Sequence, residues 1–408
     1  MIISNREELL SEGDTKGRKI ALNIIDYAMQ AIDAYGLTRG LVSIEGNLLK
    51  VDCLTYDLRE VKNVYVLGAG KGVLQIAEAL EDVLGDHIVR GVVIEKRLDG
   101  MSRGLERIKR IKRIKVLQGD HPVPDEVDVA GAREILEIAE CAGEGDLVFF
   151  CAQGGCTCQM TLPIEGLSLE DIKKITEVLL RSGADVEEVN TVRAAIIELS
   201  NGRLAKHIHP AEIINLVVND GVWGFSRGWK LESCALGWGP SVPVPEPDQN
   251  DLELETSTLQ KYSSCKELPD SVRKGLVRAD AGSNAQNVKD YEELGIKYHT
   301  FILADPEDSA EAAIRGAEEM DLSSMILSST VEGEAVDVGI VFASIAKEIV
   351  KNGRPLKPPC VVIASGETTV TIVGKNGEGG RNQELGDAIL FNEPGNNVCD
   401  LSLIIVTD

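Results

Sequence analysis

The amino-acid sequence predicts an α/β protein built as two domains, a larger parallel-sheet domain and a smaller α/β domain with a cleft between them. Three observations carry that prediction. Short apolar runs at 64–67, 92–94 and 147–151 alternate with helical patterns at 73–84, 126–142 and 169–182, the signature of parallel strands covered by helices on both faces. At 408 residues the chain exceeds the usual size of one hydrophobic core. The stretch 239–247 holds four prolines, which disfavour both helix and central strand, so the boundary is placed there. The expected division is a Rossmann-like N-terminal domain over 1–245 and an α/β C-terminal domain over 255–408.

Taken in order, residues 6–35 carry apolar side chains at helical spacing and predict an amphipathic helix. The run 64–67 predicts a buried strand, the glycines at 68–72 a turn, and 73–84 a helix. The basic run 108–115 has isoleucine at every third position and predicts one side of a helix or a mixed strand, a local structural element rather than a nucleic-acid patch. A further apolar strand follows at 213–218. Beyond the prolines, 285–294, 309–319 and 334–352 read as helices and 325–327 as a strand, with strands at Val361, Val370 and Leu403 completing the smaller unit.

Composition removes several classes of function. A formal charge of −24 argues against nucleic acid as partner, because binding phosphate backbones needs clustered Lys and Arg in net excess. Nine cysteines are scattered without the compact framework of a small secreted protein, and no apolar signal segment follows Met1, so a cytoplasmic protein is expected. No run approaches the roughly 20 apolar residues that a membrane crossing needs, and no membrane partner is expected.

Four polar segments sit where strands end, the place where ligands bind in parallel α/β sheets. Ser365-Gly-Glu-Thr-Thr-Val-Thr-Ile372 and Gly377-Glu-Gly-Gly-Arg-Asn-Gln-Glu384 bring together a carboxylate, hydroxyls, a guanidinium and a glycine-rich turn, which suits phosphate or carboxylate recognition. Gly68-Ala-Gly-Lys-Gly72 follows a strand and opens a helix, so free amides and the helix dipole are expected to attract an anion, with Lys71 adding a full charge. It completes neither the Walker loop nor the dinucleotide fingerprint. Gln153-Gly-Gly-Cys-Thr157 ends another strand and is expected to cradle phosphate through Gly154, Gly155 and Thr157. Asn219 and Asp220 end the strand 213–218, and a carboxylate there suits Mg2+ or the proton of a substrate hydroxyl. The neighbouring Cys151, Cys156 and Cys158 lack a recognised zinc spacing and read as buried small hydrophobes.

Together with His121-Pro-Val-Pro-Asp125 and Asn190-Thr-Val-Arg193, the C-terminal segments make the chain resemble, from about residue 68 to 408, the glycerate 2-kinase family, whose C-terminal unit is called the MOFRL domain. Older usage sometimes names such proteins hydroxypyruvate reductases. The resemblance implies an ATP-dependent, Mg2+-requiring kinase acting on a hydroxyl of a small hydroxy acid, most simply glycerate to 2-phosphoglycerate. Its implied catalytic residues are Lys71, Arg381 and Asp220; Gly154, Gly155, Thr157, Asn190, Arg193, Glu367, Thr368, Asn382 and Glu384 would bind substrate or phosphate, and Asp220 and Glu367 the metal.

The chain departs from the family pattern at several points. Gln153, Cys156 and Thr157 replace serine, glycine and serine, and the glycine lost at 156 is expected to narrow or reshape the loop. Ala194-Ala-Ile-Ile197 stands where the family has Lys-His-Leu-Ser, and Gly221-Val-Trp223 replaces an acidic pair. These departures keep two other functions open, a non-catalytic or repurposed small-acid-binding protein and a hydroxypyruvate reductase. Similar proteins continue past the equivalent of Thr407 and Asp408 with a further helix; a second copy would supply the missing cover, so a homodimer is the expected assembly.

Overall fold

The computed structural model describes residues 3–11, 13–184, 186–221, 239–247, 249–279, 286–370, 389, 391 and 400–407. Near the N-terminus three short strands, β1 (Val42–Glu45), β2 (Leu48–Val51) and β3 (Leu54–Asp57), form an antiparallel meander. A six-stranded sheet follows, from β4 (Val64–Ala69), β5 (Ile88–Lys96), β6 (Ile114–Gly119), β7 (Leu147–Ala152), β8 (Glu212–Val218) and β9 (Tyr298–Ala304). Its order is β6-β5-β4-β7-β8-β9 and every pairing is parallel. A third sheet places β11 (Cys360–Gly366) between β10 (Ser323–Val331), to which it is parallel, and β12 (Asp400–Val406), to which it is antiparallel.

The central strands β4 and β7 are buried along their whole length, as expected of a sheet with helices on both faces. Their side chains alternate between two cores. Val64, Val66 and Phe149 pack with the helices Thr15–Ala31, Val73–Leu84 and Pro306–Glu318, while Tyr65, Leu67 and Phe150 pack with Glu126–Cys141. Val361 and Ile363 of β11 share the first of these cores, so the two sheets are joined through it. Helix starts are set by side chains that take up the orphan amides: Asp125 caps Glu126–Cys141 in a capping box with Asp128, and Ser168 caps Leu169–Arg181 with Asp171.

The strand β9 is a feature the sequence reading passes over. It lies beyond the prolines yet hydrogen-bonds to β8. Helices Gln249–Ser263 and Asp270–Arg278 likewise pack back on Val186–Ile196 in a separate apolar cluster that includes Ile175, Val192, Leu259 and Val272, with Lys261 paired to Glu188 at 2.5 Å. The chain beyond the proline-rich stretch therefore returns to the first half, and its packing crosses the expected boundary between 1–245 and 255–408. The basic run 108–115 is neither one helical side nor one strand: it spans the end of the helix Ser102–Arg110 and the start of β6. Its charges are locally neutralised, Arg110 by Glu78 at 2.9 Å and Lys115 by Glu134 at 2.6 Å.

The proline-rich stretch is anchored in the sheet by a buried polar group. Ser241 Oγ donates to Asn215 Oδ1 at 2.6 Å, and Asn215 Nδ2 donates to the Ser241 carbonyl and to Thr300 Oγ1, each at 3.3 Å. Asn215→Leu removes both ends of this tie and strands the Ser241 hydroxyl away from water. It is expected to lower unfolding stability by about 1–3 kcal/mol, read from urea denaturation; an unchanged midpoint would show that the anchor carries no weight.

Candidate active site

In the six-stranded sheet the chain order reverses between β4 and β7, and the crevice beyond the carboxyl ends of such neighbouring strands is where ligands bind. The turns after these two strands touch. A Cβ at Gly68 would run into the Cys151 carbonyl, and one at Gly70, whose φ is +129°, would lie 2.5 Å from the Gln153 carbonyl. Only glycine admits that approach. Lys71 N then donates to the Gly154 carbonyl at 2.9 Å, which couples the two turns.

The expectation of free amides at the first turn is corrected by the structure. Gly70 N donates to the Ile94 carbonyl at 3.1 Å. Gly72 N donates to both Glu95 oxygens, at 2.9 and 3.1 Å, and Leu74 N to Glu95 Oε2 at 3.1 Å. The positive end of the helix Val73–Leu84 is thus already filled by an internal carboxylate. Glu95 is fully buried. Burial pushes its carboxyl up to about 7, opposed by the amides of Gly72, Leu74 and Lys96 and by the Lys96 charge. What this turn offers a ligand is the half-buried Lys71 side chain, which forms no ion pair among the described residues.

At the second turn Gly155 takes φ +87° and a Cβ there would lie 2.7 Å from the His121 ring. Cys156 begins the short helix Cys156–Gln159. The left-handed residue is therefore Gly155, and Cys156, as the first residue of the helix, is not asked for a left-handed conformation. Cys158 Sγ meets the Pro122 carbonyl at 3.1 Å. Burial pushes its thiol up to about 11, opposed by Arg193 and Lys71 and reinforced by Asp128 and Asp120; Cys156, also raised by burial, feels Asp220. Lys71, Arg193 and Asp220 thus lie within electrostatic reach of this one short helix. Thr157 lies in it, nearly buried.

Arg193 and Asn190 stand one turn apart on Val186–Ile196, both half-buried, and Arg193 has no ion-pair partner among the described residues. Asp220 follows β8, where Asn219 N donates to the Ala304 carbonyl at 2.9 Å. The structure therefore gathers Lys71, Gly154, Gly155, Thr157, Arg193 and Asp220 around the carboxyl ends of β4, β7 and β8. Glu367 and Thr368 belong to the other sheet, just past β11, where Glu367 N donates to the Val331 carbonyl at 2.8 Å. There Ser365 Oγ and Thr368 Oγ1 are buried without hydrogen-bond partners among the described residues, a costly state for a polar group. Arg381, Asn382 and Glu384 lie outside the described residues. The metal reading finds no group of three or more His, Cys, Asp and Glu among the described residues, and no described helix is long and apolar enough to cross a membrane.

Two residues of the site escaped the sequence-based assignment of roles. Glu95 was visible as a strand-end acid, but only folding places it on the helix start. His121 belongs to a quoted motif, yet nothing local signals its packing on Gly155.

A doubly wound parallel sheet whose switch-point crevice is flanked by Lys71 and Arg193, cations with no carboxylate partner among the described residues, fits the class of proteins that handle a small anionic ligand. Residues 20–277 match a family model described as a domain of unknown function, DUF4147. A glycerate 2-kinase of Pyrococcus horikoshii is 37% identical over 368 residues, 90% of this chain and 78% of that protein. A D-glycerate 2-kinase of Thermotoga maritima is 34% identical over 324 residues, 79% of this chain and 70% of that one. The crystal structure of a Thermotoga maritima glycerate kinase matches the fold with a TM-score of 0.63 at 30% identity, covering 90% of this chain and 78% of that chain. The chain belongs to the glycerate 2-kinase family and is by that membership a kinase.

Glu95 also gives the site a pH signature. Burial lifts its carboxyl in the folded state to about 7 from the ordinary 4.5 of an exposed glutamate, so the native state binds the extra proton and its contribution to stability is full below about 4.5 and lost as pH rises through about 7. The stability of the wild type relative to Glu95→Gln should fall by on the order of 3 kcal/mol between pH 5 and 8. Urea titrations at the two pH values measure this, and a pH-independent difference contradicts it.

Proposed function

We propose that this chain transfers the terminal phosphoryl group of ATP, carried with Mg2+, to a hydroxyl of glycerate, giving 2-phosphoglycerate and ADP. The observation that carries the reading is a pair of half-buried cations without carboxylate partners among the described residues, Lys71 in the turn after β4 and Arg193 on the helix Val186–Ile196, both within electrostatic reach of Cys158 after β7. The relatives, a glycerate 2-kinase and a D-glycerate 2-kinase, support the choice of substrate and of phosphoryl transfer. The substrate oxygen forms its bond to the γ-phosphorus as the bond to the bridging oxygen breaks, ADP departs, and Asp220 accepts the hydroxyl proton. Lys71 and Arg381 neutralise charge on the transferring group. Gly154, Gly155 and Thr157 contact phosphate, while Asn190 and Arg193 hold the acid. Thr368, Asn382 and Glu384 complete the pocket on the C-terminal, MOFRL-type side, a role supported by the hydroxyls of Ser365 and Thr368, which have no hydrogen-bond partner among the described residues. Catalysis of this kind is mainly positioning and electrostatic stabilisation, so dispersed donors serve without a Walker loop.

The donor set suits a metal that arrives with the nucleotide. Mg2+ needs one or two protein carboxylates beside phosphate oxygens rather than a protein cage. Asp220 and Glu367 would hold it. When bound it supplies neutralisation of the phosphate oxygens. A cytoplasmic setting suits seven described cysteines, all of them free thiols.

A coupled assay for ADP across three- and four-carbon hydroxy acids tests the reading. Glycerate-dependent ADP formation that requires Mg2+ is expected, and oxidation of NADH or NADPH with hydroxypyruvate in its place would overturn it. Lys71→Ala and Arg381→Ala should each lower kcat by roughly 100-fold or more, while unchanged kinetics in either variant reject that residue's role.

A further inference from the structure

We infer that Glu95 is a positioning residue for Lys71, gripping the amide side of the Gly70–Gly72 turn while the Gln153 side chain grips its carbonyl side. The inference rests on the phosphotransfer reading above. Each peptide around Lys71 has a fixed partner. Gly70 N is tied to Ile94, Lys71 N to Gly154 and Gly72 N to the Glu95 carboxylate. Gln153 Nε2 donates to the Gly72 carbonyl at 2.8 Å. Glu95 and Gln153 are both 0% exposed, so water does not compete for these bonds.

Above about pH 7, where its carboxyl is ionised, Glu95 is suited to this task by having two acceptor oxygens and no donor. Oε1 receives Gly72 N and Lys96 N, and Oε2 receives Gly72 N and Leu74 N. In Glu95→Gln one oxygen becomes an amide nitrogen, and a donor then faces a backbone donor at Gly72 or Leu74. The turn relaxes at the residue next to Lys71, and the ammonium moves relative to the Gly154–Gly155 turn. A displacement on the order of 1 Å at a charge-stabilising group costs about 100-fold in rate. The carboxylate also cancels the positive end of the helix Val73–Leu84, which leaves Lys71 as the charge this turn presents.

The test is a double-mutant cycle in the full-length enzyme with glycerate and Mg·ATP at about pH 8, where the Glu95 carboxyl is ionised. Glu95→Gln is expected to lower kcat by about 10-fold or more with KM for ATP changed less than about threefold. In the Lys71→Ala background the same substitution should change kcat by less than about twofold, since a group that acts through Lys71 has nothing left to position. Multiplying effects, or wild-type kcat in folded Glu95→Gln, would overturn the inference. Glu95→Asp, which keeps the charge, should restore part of the loss. If Glu95→Gln does not fold, Gln153→Met decides by the same cycle, because it removes the grip on the Gly72 carbonyl at similar volume. If the wild type forms no ADP, the functional reading fails separately, and labelling of Lys71 by acetic anhydride, followed by peptide mass spectrometry, still reads the geometry. A change of at least about threefold in labelling rate in either clamp variant supports the clamp, and equal rates sink it.

Discussion

Two neighbouring parallel strands, β4 and β7, end in turns that approach too closely to carry side chains, and the site is built around that contact. Cys151 and Gln153 place backbone carbonyls where Cβ atoms at 68 and 70 would stand. The same proximity lets Lys71 N reach the Gly154 carbonyl, so the two turns form one unit. Because the chain order reverses here, helices leave β4 and β7 in opposite directions and open a crevice between their starts. Asp220 at the end of β8 and His121 after β6 extend the same rim.

Electrostatics at that rim run against the composition of the chain. The protein carries a formal charge of −24, yet Lys71 and Arg193 face the turn after β7 without forming ion pairs among the described residues. In a glycine-rich turn before a helix, amides usually supply the positive field. Here Glu95 takes those amides, and the proposed phosphate site relies on side-chain charges instead. An ammonium and a guanidinium can adjust to a phosphoryl group as its charge redistributes, which a fixed row of amides does less readily. The carbonyl and hydroxyl chemistry at the end of β11 is different in kind, with two buried hydroxyls lacking partners among the described residues and Gly366 forced by the Val331 backbone.

Much of the fold was legible because its signals are local. The helix Val73–Leu84 begins after a left-handed glycine and carries an apolar period, and its limits follow from those residues. The strands β4, β7 and β8 are unbroken apolar runs, which parallel burial demands. By contrast, β9 reads Tyr-His-Thr-Phe-Ile-Leu-Ala, mixed polar and apolar, and only its pairing with β8 identifies it. The basic run 108–115 has one period on paper and two conformations in the chain, because Glu78 and Glu134 attract its ends to different neighbours.

The sequence by itself determined the α/β class, the strand-end placement of Lys71, Gly154, Gly155 and Asp220, and the family to which these motifs point, since each depends on residue types a few positions apart. Tertiary structure decided which groups remain available to a ligand. Glu95 lies 23 residues from the Gly72 amide it occupies, and Gln153 lies 81 from the carbonyl it holds. Such partnerships are set by the order in which strands pair across the sheet, and no periodicity along the chain encodes that order.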